Sequence, residues 1–509
     1  MSYAVFQAEI ARINDILCAI NLMGWDARTV MPAGGVNARA HQVTTLTVLA
    51  RDMATGDGLR RAMDSAKAEL AGVPAEDMRH RALAQAEAEI GILRRIPAQI
   101  ITEMAGLKTR AHAAWVEARA ANDFAAYAPM LGRMMEMQRL ISAAIGGGAH
   151  PYDPLIAMFE PDMTYAELQG HYGTLKSALA PLIARAKAAP QPRLDFLSRS
   201  FPIAAQKAFG MKMAERLGYD LNRGRLDDTI HPFEISFTRD DVRITSRFRE
   251  NWLPGGVFAL WHEAGHGIYE QNIAPEFSRS IFTTDLVNLY AVGGASFGMH
   301  ESQSRLWENR VGRSKRFWEL HYGELRDCFP TQLADVSDME FWRAINSVQP
   351  GFIRVEADEL TYDLHIILRS EIEAGLMSGD IQVKDLPGVW KEKMQASFGL
   401  DVPNDTLGVL QDVHWSHGYL GSFPTYTLGN IMSSQFFRKA QQTPAVSAGL
   451  QTGDYGALKT WLAENIYRHG RSCSPKETVQ RVTGGPLDPA PYIADLTAKV
   501  DVLTASDTL

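Results

Sequence analysis

The stretch "FALWHEAGHGIYEQ", residues 258–271, decides how this chain is to be read. His262 and His266 stand four apart, so on a helix both imidazoles leave the same face and can share one tetrahedral metal ion. Glu263, next to His262, turns toward the same cleft, where its carboxylate can take a proton from an activated water. The competing reading is a buried helix whose two histidines have ordinary hydrogen-bond partners. Spacing alone does not separate the two, because short motifs of this form also arise by chance.

A catalytic zinc needs a third protein ligand and an open fourth position. Downstream, "GMHESQSRLWENR" offers Glu301, at a separation that suits a carboxylate arriving from the next helix but one. His300, its neighbour, competes for the same role. Glu270 is a weaker rival, since it lies one helical turn after His266 and would have to bend back. The residues therefore imply a His-His-Glu zinc site of His262, His266 and Glu301.

The 509 residues, 46% hydrophobic and 22% charged, are ample to bury a large core. No apolar run is long enough to span a bilayer, and Glu9, Arg12 and Asp15 interrupt the start where a signal peptide needs an apolar core. A soluble, cytoplasmic protein is expected. Cys18, Cys328 and Cys473 show no CxxC spacing, which argues against a disulfide framework or thiolate metal site and for buried small hydrophobes. A net charge of -8 without a basic block leaves no electrostatic footprint for nucleic acid or an anionic membrane. The partner is expected to be a small molecule or a peptide.

Residues 5 to about 200 are Ala-, Leu- and Glu-rich with helical periodicity. Thr164 and Glu167 form a capping box, and behind it Leu168, Tyr172, Leu175, Leu179 and Leu182 recur at three and four until Pro190. Another helix fits 75–95, with Leu83, Ala86, Ile90 and Leu93 on one face. The period changes at "HPFEISFTRDDVRITSRF", where Phe233, Ile235 and Phe237 and then Val242 and Ile244 alternate with polar residues, as in a hairpin. Asp241, Arg243 and Thr245 fall on one face of its second strand. Helical patterns resume after 256. The expected organisation is one mainly α catalytic unit spanning 1–509, with a helical half over 1–200, a metal-binding half over 201–509 and a small antiparallel sheet inserted between helices.

Six motifs in order carry a resemblance to a known family: "HPF" 231–233, "DVRIT" 241–245, "HEAGH" 262–266, "HESQ" 300–303, "IRVEAD" 353–358 and "GVLQDVHW" 408–415. The chain resembles the carboxypeptidase Taq type of zinc metallocarboxypeptidases along nearly its whole length. "GWDARTVMPAGG" around Trp25 and "FPTYTLGN" at 423–430 also fit, although Ser422 stands where an aromatic is expected. The resemblance implies a mainly helical, two-lobed fold similar to angiotensin-converting enzyme and neurolysin, with a deep groove and the metal at its floor. It also implies a homodimer that removes single C-terminal residues with broad specificity and poor use of proline. One Zn2+ per chain is expected, and because a His-His-Glu set accepts several ions, Co2+ or Mn2+ in its place is left open.

A carboxypeptidase needs a cation to read the terminal carboxylate, and a guanidinium offers bidentate geometry. With the resemblance, that role falls to Arg354, one helical turn before Asp358, with Arg243 as runner-up. The glycine-rich segment 411–429 holds His414, His417, Tyr419 and Tyr426, a loop that could close over the metal. Tyr426 and His414 are the expected donors to the oxyanion, while Gln411, Asp412 and Trp415 are expected to orient this wall. The leading expectation is a zinc carboxypeptidase acting on peptides with a free C-terminus. A zinc endopeptidase or dipeptidyl carboxypeptidase of the same architecture is the alternative, and a silent peptide-binding scaffold comes third.

Overall fold

The capping box at Thr164 starts the helix Tyr165–Ala188 in the computed structural model, which describes residues 3–505. The Thr164 hydroxyl accepts from the Glu167 N–H at 3.3 Å, and the Glu167 carboxylate accepts from the Thr164 N–H at 3.1 Å. The expected stripe from Leu168 to Leu182 is buried, and Arg185 and Lys187 sit at the negative end of the helix. The helix Met78–Arg95 likewise buries Leu83, Ala86, Ile90 and Leu93. The described residues are mainly helical throughout, with two small sheets among them. No helix among the described residues is long and apolar enough to cross a membrane.

Two compact units divide the chain, and each is assembled from three segments. One comprises Met1–Arg94, Pro192–Ile345 and Met432–Leu487; the other comprises Arg95–Gln191, Asn346–Ile431 and Asp488–Leu509. In the first unit the helix Tyr3–Thr29 buries Phe6, Ile10, Ile13 and Leu17. Its buried Asn14 and Asn21 donate to backbone carbonyls of Thr283, Ser236 and Ala291 at 2.9–3.0 Å. Arg471 pairs with Glu89 at 3.2 Å and Asp285 at 3.5 Å, so one buried guanidinium ties the unit's three segments. Such a pair adds little net stability but is costly to break.

The expected hairpin is present as strands β2, Glu234–Thr238, and β3, Asp241–Ser246, paired antiparallel with Ile235 opposite Arg243. The sheet is not purely antiparallel, however. Strand β1, Gly224–Asp228, joins the other edge of β3 in parallel, giving the order β1-β3-β2. Its sequence "GRLDD" holds one aliphatic residue and no alternation, so periodicity carried no sign of it. The cysteines also differ from expectation: none is buried, and Cys328 is exposed.

In the second unit the helix Glu359–Ser378 is buried on nearly every face, as befits a core helix. It carries Asp363, which accepts from Thr427 at 2.7 Å, Asn430 at 3.0 Å and Tyr492 at 2.7 Å. Ten residues on, Glu373 accepts from Trp415 Nε1 at 2.8 Å, from the Gly421 N–H at 2.9 Å and from the Tyr152 hydroxyl. Both carboxylates fix the loop and helix that follow Gln411.

Candidate active site

The helix Leu253–Gln271 holds the decisive stretch and is buried along most of its length. Trp261 points away from the histidines and donates to the Gly210 carbonyl at 3.1 Å, locking the helix rotation. His262 and His266 therefore face a common side. Gly265, between them, lets the helix Phe297–Arg305 come close: a β-carbon at 265 would lie 2.7 Å from Ser304 Cα. That approach delivers Glu301. Its Oε2 lies 3.4 Å from His262 Nε2 and 3.6 Å from His266 Nε2. Donors held at about 2.0–2.1 Å from one tetrahedral ion stand roughly 3.3–3.5 Å apart. The three residues thus form a group that fits a metal ion, all donor atoms lying within 4.8 Å of one another. Glu301 comes from the next α-helix, nearer in the fold than the sequence separation implied.

The rivals for the third position have other partners. His300 turns its Nδ1 to His266 Nδ1 at 2.8 Å and its Nε2 to Glu270 Oε1 at 2.7 Å. Glu270 also accepts from the Gly293 and Gly294 N–H groups. With His266 Nε2 free to bind metal, its Nδ1–H donates to His300, whose Nε2–H donates to the carboxylate. This chain fixes the tautomer of the ligand.

On the other histidine, Glu308 Oε2 accepts from His262 Nδ1 at 3.0 Å. Glu308 lies in a π-helical stretch, Leu306–Gly312, that continues the Glu301 helix. Such turns are frequent at functional sites. Arg305 bridges Glu301 at 2.7 Å and Glu308 at 3.3 Å, and Arg313 reaches Glu308 at 3.1 Å. Sequence reading missed Glu308. A signal was present, because Glu301, Ser304, Arg305 and Glu308 repeat with the spacing of one helical face.

The electrostatics follow from this arrangement. Burial disfavours a charge on His262, yet Glu301 and Glu308 outweigh it and raise its pKa to about 10. The carboxylates that draw a proton onto His262 would draw a divalent cation equally. Burial, aided by the two histidines beside it, lowers His266 to about 3. Burial raises Glu263 to about 7, with His262 opposing and Glu301 and Glu308 adding to the rise. A buried carboxylate poised near neutrality suits a general base.

In the second unit, Arg354 is placed differently from expectation. It does not share a helix with Asp358. Asp358 is the N-cap of the helix Glu359–Ser378, its Oδ1 accepting from the Leu360 and Thr361 N–H groups at 3.0 and 3.1 Å, whereas Arg354 sits on a separate 3-10 turn. An Asp in that place favours capping over pairing with a residue four back. Arg354 is held instead by Asp412 Oδ1 at 3.1 Å, by the Tyr362 hydroxyl at 3.3 Å and, through its backbone N–H, by Gln411 Oε1 at 3.1 Å. Arg369 takes the other Asp412 oxygen at 2.6 Å and Gln411 Oε1 at 2.7 Å. Gln411 and Asp412 thus each contact both arginines.

His414 Nε2 lies 3.4 Å from the Tyr426 hydroxyl, and the Arg354 guanidinium lies 5.3 Å from the Tyr426 ring centre. Burial, with Arg354 beside it, lowers His414 to about 3, so its imidazole is neutral. Ser422 is buried and donates to the Tyr419 carbonyl at 2.8 Å. Arg243, in the first unit, is committed to Asp241 through two contacts of 2.9 Å and stacks 4.4 Å over Trp25.

Comparison with known proteins agrees with this geometry. Residues 5–500 match the family described as Carboxypeptidase Taq (M32) metallopeptidase. The chain is 37% identical to Carboxypeptidase 1 of Bacillus subtilis, over 94% of each chain. It is 36% identical to Thermostable carboxypeptidase 1 of Thermus thermophilus, over 98% of this chain and 97% of that one. Among solved structures, the M32 carboxypeptidase from Deinococcus radiodurans has a TM-score of 0.92 at 37% identity, covering 98% of both chains.

Proposed function

The chain belongs to the carboxypeptidase Taq (M32) family of metallopeptidases, and from that premise we propose how this metallocarboxypeptidase works. It releases single residues from the free C-terminus of peptides, with zinc held by His262, His266 and Glu301. A zinc ion there would supply Lewis acidity and lower the pKa of water. The oxygen and nitrogen donor set also admits cobalt. Glu263 accepts the proton of the attacking water and returns it to the leaving amine. Tyr426 and the neutral His414 donate to the oxyanion, and Arg354 takes the terminal carboxylate.

The observation that carries exopeptidase action is a surplus of buried positive charge. Arg354 and Arg369 are both buried, and among the described residues only Asp412 pairs with either. Two guanidinium groups against one carboxylate leave one positive charge that a substrate carboxylate would neutralise. Homodimeric assembly and broad specificity with poor use of proline belong to the same proposal and rest on the family alone, and a cytoplasmic location belongs to it too, resting on the charges of Glu9, Arg12 and Asp15 near the start of the sequence.

The test compares N-blocked peptides with their C-terminal amides in the native enzyme and in Arg354→Ala. A charge-assisted bidentate contact is worth about 2–3 kcal/mol, roughly a hundredfold in kcat/KM. The native enzyme should prefer the free acid by that factor, and the variant should lose most of the preference. Equal cleavage of acid and amide by the native enzyme would favour an endopeptidase, and an undiminished preference in Arg354→Ala would move the anchor to another cation.

A further inference from the structure

The assignment of Arg354 leaves another basic group of the same unit without a role. Lys108 stands on the helix Ala98–Ala121, whose core stripe is Met104, Leu107, Ala111, Trp115 and Ala118. Lys108 and His112, four residues apart, share a face beside that stripe. The lysine stem packs on Gly418, where a β-carbon would lie 3.3 Å from its Cε. Its ammonium stands 5.8 Å from the centre of the Tyr419 ring, which is 48% exposed. His112 stacks on His417 at 4.7 Å, and His417 lies 6.1 Å from Tyr419.

Two features of this cluster call for an anion. Lys108 is half-buried and its pKa is lowered by burial, with no carboxylate near enough to oppose the shift and no ion pair among the described residues. His112 Nδ1 is buried without a hydrogen-bond partner. A partly desolvated cation without a counter-charge costs free energy that a bound carboxylate would offset. The 3-10 turn His414–His417 links this cluster to the Arg354 group. Its first histidine lies against Tyr426 and Phe423, and its last lies against His112.

We propose that Lys108, His112 and Tyr419 form a second carboxylate subsite, which takes the side chain of an aspartate or glutamate in the peptide while Arg354 takes the terminal carboxylate. The inference rests on the carboxypeptidase reading above. It makes Lys108 a specificity residue: the ammonium supplies the charge, the Tyr419 ring supplies an exposed platform for the chain, and His112 supplies a hydrogen bond. Because the cluster is partly open, the preference should weaken as salt rises.

The experiment walks glutamate against glutamine through the last four positions of an N-blocked peptide and measures the ratio of kcat/KM values. In the native enzyme the ratio should reach about tenfold at one position. It should fall to near one in Lys108→Met, remain in Lys108→Arg, and pass to lysine-containing peptides in Lys108→Glu. Reading a ratio within each variant separates specificity from any general loss through misfolding. A native enzyme that shows no glutamate preference at any position, or a preference that survives Lys108→Met, would overturn the subsite while glutamine peptides were still shortened from their C-termini. Failure to shorten any peptide from its free C-terminus would overturn the carboxypeptidase reading itself, and this proposal with it.

Discussion

Adding one methyl group at Gly265 should loosen the metal without touching a ligand. The alanine β-carbon would lie 2.7 Å from Ser304 Cα, 2.8 Å from the Gln303 carbonyl oxygen and 3.1 Å from Gln303 C. Carbon atoms pack comfortably at about 3.5–4.0 Å. The 303–304 backbone must therefore retreat by roughly 1 Å, and Glu301 rides on the same helix. That retreat is about half the length of a zinc–oxygen bond of 2.0–2.2 Å. Overpacking costs about 1–3 kcal/mol, whereas the ~1 kcal/mol by which alanine exceeds glycine in helix propensity favours the metal-free and metal-bound folds alike and drops out of the metal affinity. The net strain reaches the ligand geometry, and zinc affinity should fall by roughly ten- to a hundredfold, at 1.4 kcal/mol per tenfold. Competition against a chelator, with metal content per chain measured in parallel, reads this directly. Gly323→Ala is the control: it lies in the helix Lys315–Cys328 with no atom within 4 Å, so it should leave affinity unchanged. Zinc affinity in Gly265→Ala within twofold of native would refute the claim that this glycine admits the Glu301 helix.

Other perturbations separate the parts of the site. Glu308→Ala, which removes the acceptor from His262 Nδ1, should weaken zinc by roughly 10- to 100-fold, and Glu308→Gln should weaken it less; equal affinity in all three proteins would remove Glu308 from the centre. Glu263→Gln should keep its zinc and lose on the order of 10²–10⁴ in kcat, whereas Glu301→Ala should lose zinc; a fully active Glu263→Gln would end its assignment as base. Burial raises Glu373 to about 7. A carboxyl whose folded pKa exceeds its unfolded value near 4.3 favours the fold below that value, and the fold loses this advantage as pH climbs through 7, by up to about 4 kcal/mol. Chemical denaturation of Glu373→Gln at pH 5 and pH 8 should therefore show a smaller decline than the native chain, and parallel declines would rule this carboxyl out.

Much of the architecture was legible because local signals agreed. The Thr164–Glu167 cap, the stripe behind it and the alternation from Phe233 to Ile244 each mark an element that forms where expected. Strand β1 was not legible, since its pairing with β3 is a tertiary choice that overrides a weak local pattern. At the site, residue types and spacing brought out His262, His266 and Glu301, which the fold brings together. The partner of Arg354 was misread because a four-residue spacing presumes a helix, and the Asp358 cap begins that helix only at Glu359. The three-dimensional neighbour, Asp412, lies far along the chain, where no local rule reaches it.

The most direct test of the ligand assignment is an anomalous-scattering map of the zinc-loaded crystal, measured on both sides of the zinc absorption edge. The account requires a single peak per chain about 2.0–2.2 Å from His262 Nε2, His266 Nε2 and the Glu301 carboxylate, with His300 still turned to Glu270. A peak bonded to His300 in place of Glu301, or one remote from the HEAGH helix, would contradict it.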